Sequence, residues 1–339
     1  PCPVTIRFTP DGSGGYDVAR TVPQWFDDSA LGTEIAAGGL LPADTMSPAQ
    51  ALGFAFTMPG GGSTTAVHVD DNGRVVADPA ATSSSSPIPG TMRLGPAVIA
   101  PYWTDLDSAG GSVRFHADPQ AGFATITWRD VPQAGAANAL TFQLRLESDG
   151  SFAFTYLDAR DWQQPAGNYT NNVVVGCSGG NGVADPGASD FAVYPIASGG
   201  SSMVYQTWTA TNAPQHVDLQ AHLHLTRFGV IGGALEFELG GLTSVSAAAF
   251  LVLGLQDPGI EFTALLTGIP GLTGCVQHAS PDLVTLMLLN GGTATGSFAI
   301  PASPSLVGLP LQAQTAAVAP GESLLGVVLS DALRVTIGG

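Results

Sequence analysis

Apolar and polar residues alternate along this chain in short runs, and helical periodicity is almost absent. The alternation predicts strands over 4–8 (VTIRF), 66–69, 111–116, 124–128, 141–147, 151–156 and 172–176. Further runs predict strands over 204–208, 221–226, 234–239, 283–288 and 333–337. Gly, Pro, Asn and Asp punctuate them. Asp71-Asn72-Gly73 and Ser148-Asp149-Gly150 read as hairpin turns, because these residues tolerate the positive φ that tight turns require. The serines Ser83–Ser86, set between prolines, read as a loop. Many short strands without helices predict an all-β protein of two antiparallel domains, each a sandwich or barrel. The densest signal is 98–157, where Trp103 and Trp128 fall in core-like alternation and are expected inside.

The character of the chain changes near 210–220. Before that point aromatics are frequent and turns are rich in Asp and Asn. After it the chain is rich in Leu, Ala and Val. The division is therefore 1–209, a linker at 210–220, and 221–339. A length of 339 residues is compatible with about two domains. Two stretches resemble each other: IRFTPDGSGG (6–15) and LHLTRFGVIGG (223–233) both run from a strand through Thr into a glycine turn. If the N-terminal strand of one molecule mimics the strand joining the domains, subunits could add to one another head to tail, with Val4, Ile6 and Phe8 as the donated residues.

Charge narrows the partners. The formal net charge is −17, and Lys plus Arg number 10. All ten are Arg. An acidic chain without basic clusters cannot neutralise phosphates, so nucleic acid is not expected as a partner. Charged residues are only 11% of the chain, far below the roughly 25% of ordinary domains. Such a surface is either rich in small residues or covered in an assembly. The longest apolar run, 245–255, is too short to span a bilayer, and membrane insertion is not expected. A chain that starts at Pro1 rather than Met is expected to have been processed.

The candidate chemistry is sparse. The three cysteines, Cys2, Cys177 and Cys275, fit no zinc spacing and allow at most one internal disulfide. Cys2 is the natural candidate for an intermolecular bond. Asp105 and Asp107 share a strand face and, with Asp70, Asp71 or Asp185, could hold Ca²⁺; the alternative is that they cap turns. No other cofactor is expected. His222 and His224 share a face near His216 and Asp218, a pattern open to Zn²⁺ or Cu²⁺, though two histidines alternating in a linker strand are more often surface residues. No G-x-S-x-G elbow sets a serine beside a base, and no catalytic residue is assigned. Trp162 is the best candidate for stacking on a sugar.

Several pieces recur in a known order. They are LGFAFTM (52–58), TAVHVDDNGRV (65–75), IAPYWTDLD (99–107), TWRDVP (127–132), the 141–156 hairpin and VVGCSGGNGVADPGASDF (174–191). As a set they resemble the nidogen-like extracellular domain. That resemblance implies a β-rich module of matrix, adhesion and secreted surface proteins, and brings no catalytic residues with it. Here Cys177 follows the Val-Gly pair, and the family's disulfide-rich companion modules are missing. The stretch from about residue 222, with GLPLQAQ (308–314 after Val307) and the final SDALRVTIGG, is similar to a small β-sandwich that ends many secreted proteins of GC-rich bacteria.

The expectation is a secreted, non-catalytic structural protein at the cell surface. It would be a subunit of an extracellular filament or surface layer, with itself as the main partner. The alternative is a monomeric adhesin or glycan-binding module that meets surface glycans, and the third reading is a secreted hydrolase.

Overall fold

A computed structural model describes residues 3–35, 42–136, 139–159, 161–162, 172–191, 193–208, 215–216, 220–243, 246–261, 275–321 and 326–338. The chain is all-β, and among the described residues the named strands pair antiparallel; the isolated Val230–Gly338 bridge is parallel. An eight-stranded sheet runs in the order Ile196–Ala197, Tyr16–Thr21, Val4–Pro10, Phe152–Asp158, Ala139–Glu147, Phe123–Pro132, Ser112–Asp118, Thr33–Glu34. A six-stranded sheet runs Val204–Trp208, Val173–Ser178, Val98–Trp103, Arg74–Val76, Ser63–Asp70, Gln50–Thr57. These two sheets share one core. Phe8 stacks on Phe152 with ring centroids 4.6 Å apart, and Trp128 on Phe142 at 5.0 Å. Tyr102, from the other sheet, reaches Phe142 at 5.5 Å. The Tyr156 hydroxyl donates to the Pro101 carbonyl at 2.7 Å, so the phenol crosses the core and still finds a partner.

The six-stranded sheet is covered on both faces. All six residues of Val98–Trp103, and all six of Val173–Ser178, are buried. Trp103 belongs to a separate small cluster on the far face with Val76, Met92, Val174, Met203 and Tyr205. Met92 comes from a short helix, Pro89–Leu94, which the alternation did not predict. Six residues are too few for a visible period, but Pro at its first position suits a helix start.

The outer face of the eight-stranded sheet is polar yet buried. Thr5, Thr125, Thr127, Gln143 and Thr155 line it. The segment 22–28 lies across them: the Gln24 amide donates to Thr5 Oγ1 at 3.0 Å, and the Gln143 side chain bonds both the N–H and the carbonyl of Phe26. The chain thus caps its own hydroxyl row with backbone.

A second core belongs to the C-terminal sheet, in the order His222–Arg227, Ala234–Gly240, Thr293–Ala299, Leu283–Asn290, Ala248–Gly254, Pro310–Val318, Val327–Thr336. It is aliphatic, with Phe237 the one aromatic among its fully buried members. The sheet curls until its two outer strands meet. Val230 bridges Gly338, and the Leu223 amide donates to Asp331 at 2.7 Å. Gln220 ties this region to the first: its amide side chain accepts from Ala159 N at 3.0 Å and donates to the Tyr156 carbonyl at 3.2 Å.

The strand Val4–Pro10 is placed otherwise than as a free donor. It pairs with Tyr16–Thr21 on one edge and Phe152–Asp158 on the other, and Val4, Ile6 and Phe8 are buried. A neighbouring molecule could take this strand only by withdrawing it from its own sheet. The two similar stretches, 6–15 and 223–233, each form the first arm of a hairpin. Cys2 lies outside the described residues. Cys275 is disulfide-bonded, and Cys177 is a buried free thiol.

Candidate functional site

The Asp71-Asn72-Gly73 hairpin is not a solvent turn. Asp70, Asp71 and Asn72 are fully buried. Gly73, at φ 80°, is needed there, because a Cβ would strike the Tyr102 carbonyl. The Asn72 side-chain nitrogen faces Ser83 Oγ at 3.0 Å, Asp71 Oδ1 at 3.1 Å and Asp44 Oδ1 at 3.2 Å, while its oxygen accepts from Leu106 N at 2.9 Å. Asp70 pairs with Arg74 Nε and accepts from Ser83 Oγ at 2.6 Å and Ser84 N at 3.2 Å. Arg74 packs over the Trp103 ring at 4.9 Å, and the indole N–H donates to the Ser84 carbonyl at 2.7 Å. Asp71 accepts from Asp44 N and Thr45 N. Burial, and then the neighbouring Asp70, push its carboxyl up to about 8. The serine loop is therefore clamped down on the hairpin. The cluster can store a proton and lock two loops to the sheet.

Asp105 and Asp107 lie beside this cluster. Asp105 is half-buried, and its carboxyl is raised by burial and then by Asp44 and Asp107. Asp107 caps a short 3-10 turn by accepting from Ala109 N at 3.2 Å. Asp185 is elsewhere, accepting from the Tyr205 hydroxyl at 3.1 Å. Among the described residues, no group of three or more His, Cys, Asp or Glu is placed to hold a metal ion.

The tryptophans divide by burial. Trp103 and Trp128 are fully buried, and Trp208 is partly buried against the first core. The Trp162 side chain lies outside the described residues, as do those of His216, His222 and His224 and the whole of Asp218. Trp25, which the sequence offers for stacking only as one of five tryptophans and behind Trp162, lies half-buried in a cleft of about 370 Å³. Asp27, Arg129, Asp130, Thr141, Leu157 and Asp158 complete the lining.

The topology, the buried 70–74 hairpin and the twin buried strands now stand together with the motifs that run through them. A family model described as NIDO related matches residues 15–218. The chain belongs to that family. No curated protein and no solved structure matches it. The NIDO-related match begins upstream of the motifs read from the sequence and takes in the segment that carries Trp25.

Beyond the NIDO-related part, the C-terminal sheet presents an unusual outer face. Leu283–Asn290 is a central strand, and only Met287 turns fully into the core. Val284, Leu286 and Leu288 point outward with 51%, 60% and 73% exposure. Phe250 and Val252, half-buried, stand opposite Leu286 and Val284 on the paired strand. Among the described residues, no helix is long and apolar enough to cross a membrane.

Proposed function

We propose that this chain is a non-catalytic structural subunit of an extracellular assembly, in which copies meet through the outer face of the C-terminal sheet. The observation that carries the reading is the row Val284, Leu286 and Leu288, set in a strand that bears no charge. Contiguous exposed apolar surface of this kind marks an interaction site rather than ordinary surface. The occupant we assign is a second copy. The chain carries a net charge of −17, and two such molecules repel wherever their acids face each other. The strands Ala248–Gly254 and Leu283–Asn290 contain no acid, and an acid beside the row, Glu236, lies on its flank next to Leu286 and Leu288, so two copies meeting over these two strands bring few acids face to face. The extracellular setting rests on the family resemblance.

The test is sedimentation velocity with negative-stain imaging across a salt series. Wild-type protein should associate more strongly as salt rises, since screening weakens the long-range repulsion but leaves the apolar contact. Leu286→Glu combined with Leu288→Glu should abolish association and leave the melting curve in place. Monodisperse wild-type protein at every salt concentration would overturn this reading and favour a monomeric binding module.

A further inference from the structure

The Trp25 cleft is built rather than incidental, and we propose that it binds a neutral oligosaccharide with one pyranose ring seated against Trp25. Three features of its construction carry this assignment. The platform is rigid, because both neighbours of Trp25 are pinned: Gln24 to Thr5, and Phe26 to Gln143 through both backbone groups. Phe26 also stacks on His116 at 4.8 Å. A flat aromatic that is already ordered loses little freedom on binding.

The floor is formed where the sheet breaks its register. Thr141 marks an irregularity in the ladder to Phe123–Pro132 and in that to Phe152–Asp158. Paired bulges of this kind re-aim side chains and occur next to binding sites. Asp130 adopts φ 53°, a left-handed conformation that a non-glycine residue seldom takes. The Thr141 hydroxyl holds it there, accepting from Asp130 N at 3.0 Å and donating to Asp130 Oδ1 at 3.2 Å. The cost of that conformation is met by neighbouring bonds, and its effect is to set a carboxylate at the rim.

The hydrogen-bonding capacity is only partly used. Arg129 packs against Trp25 at 5.9 Å, and its Nη2 reaches Asp27 and Asp28 only at 3.4 Å. Its Nε is buried without a partner. Behind it Asp28, fully buried, has an unpartnered Oδ2. An indole face beside carboxylates and a guanidinium suits a pyranose, whose C–H face is apolar and whose vicinal hydroxyls both donate and accept. Arg129 already supplies the cation next to the ring. The carboxylates of Asp27, Asp130 and Asp158 disfavour an acidic sugar. The volume falls within the roughly 300–1,000 Å³ of small-ligand sites.

The experiment is isothermal titration of the full chain with cellohexaose, N-acetylchitohexaose and mannohexaose, with polygalacturonate as the charged arm. At least one neutral oligomer should bind in the millimolar range or tighter, with a change in tryptophan fluorescence. Trp25→Ala should weaken that binding about tenfold or more. Asp130→Gly separates binding from folding, because glycine accepts the left-handed conformation freely. It should hold or raise the melting temperature while weakening the sugar. Absence of binding by all three neutral oligomers, preference for polygalacturonate, or unchanged affinity in both variants would each overturn the proposal.

Discussion

The two cores of this protein solve the same problem with different materials. The first packs aromatics between two sheets, covers the far face of one sheet with a helix and a loop, and buries the polar row of the other under its own backbone. The second is one curled sheet around a small aliphatic core, and it leaves a hydrophobic row in solvent. A domain that covers its faces from within has little need of a neighbour. One that leaves a face bare is incomplete by the same standard. The contrast matches the two proposed roles, which set recognition in the covered region and contact between copies on the bare one.

The comparison breaks most readily at the N-terminal strand. Deleting residues 3–9 removes the strand between Tyr16–Thr21 and Phe152–Asp158, together with Ile6 and Phe8 from the core. Circular dichroism and limited proteolysis should show a first region unable to fold. A folded monomer would instead mean that the strand is detachable, as donation between subunits requires. Next comes Trp128→Ala, which should cost the first region about 3–5 kcal/mol and leave a separate C-terminal transition in place. Leu251→Ala, fully buried in the second core, should lower only the other transition, by about 2–5 kcal/mol. Calorimetry that moves both transitions together would erase the distinction and make Gln220 a rigid coupling.

A smaller effect sharpens the picture of the buried hairpin. The Asp71 carboxyl sits at about 8 in the folded chain against 3.8 as a free side chain. Between these values the folded state keeps a proton that the unfolded state has lost, so stability falls as pH rises through the window. This contribution is fully present below about pH 4 and gone above about pH 8. Asp71→Asn should flatten that decline in denaturant melts at about pH 5 and pH 9. The smallest effect concerns Cys177, whose thiol burial pushes up to about 12. Ellman's reagent should leave it unmodified in folded protein and react promptly in denaturant.

Most of the fold was legible because strands announce themselves through alternation. Ala248–Gly254 was hidden inside a continuous apolar run, where period is lost. Thr293–Ala299 was hidden by its small residues and Gly296. The two hairpin turns follow from Asn-Gly and Asp-Gly, but the burial of Asp71-Asn72-Gly73 does not, since a turn motif carries no information about what will cover it; Ser148 and Asp149 stay exposed. The family resemblance also comes from sequence, through motifs most of which prove to be inner strands, LGFAFTM in the outer strand Gln50–Thr57 being the exception. The Trp25 cleft was invisible for a physical reason. Its parts lie about a hundred positions apart, and they converge only because two bulges fall at the same level of one sheet. The exposed row at Leu286 and Leu288 alternates like any strand, and sequence cannot say which face stays bare.

The ends of the two sheets that share the first core have a colloidal consequence. The eight-stranded sheet stops at Ile196–Ala197 on one side and Thr33–Glu34 on the other, each two residues long. The outer strand Gln50–Thr57 of its partner slips register midway. Many proteins guard sheet edges with lysine, a defence that salt screens away. At these three ends brevity and a broken register do that work, whereas the fourth, Val204–Trp208, is a regular five-residue strand; ionic strength does not touch geometry. If salt draws copies together through the apolar face as proposed, it leaves these three edges shut, and association there need not turn into sheet growth.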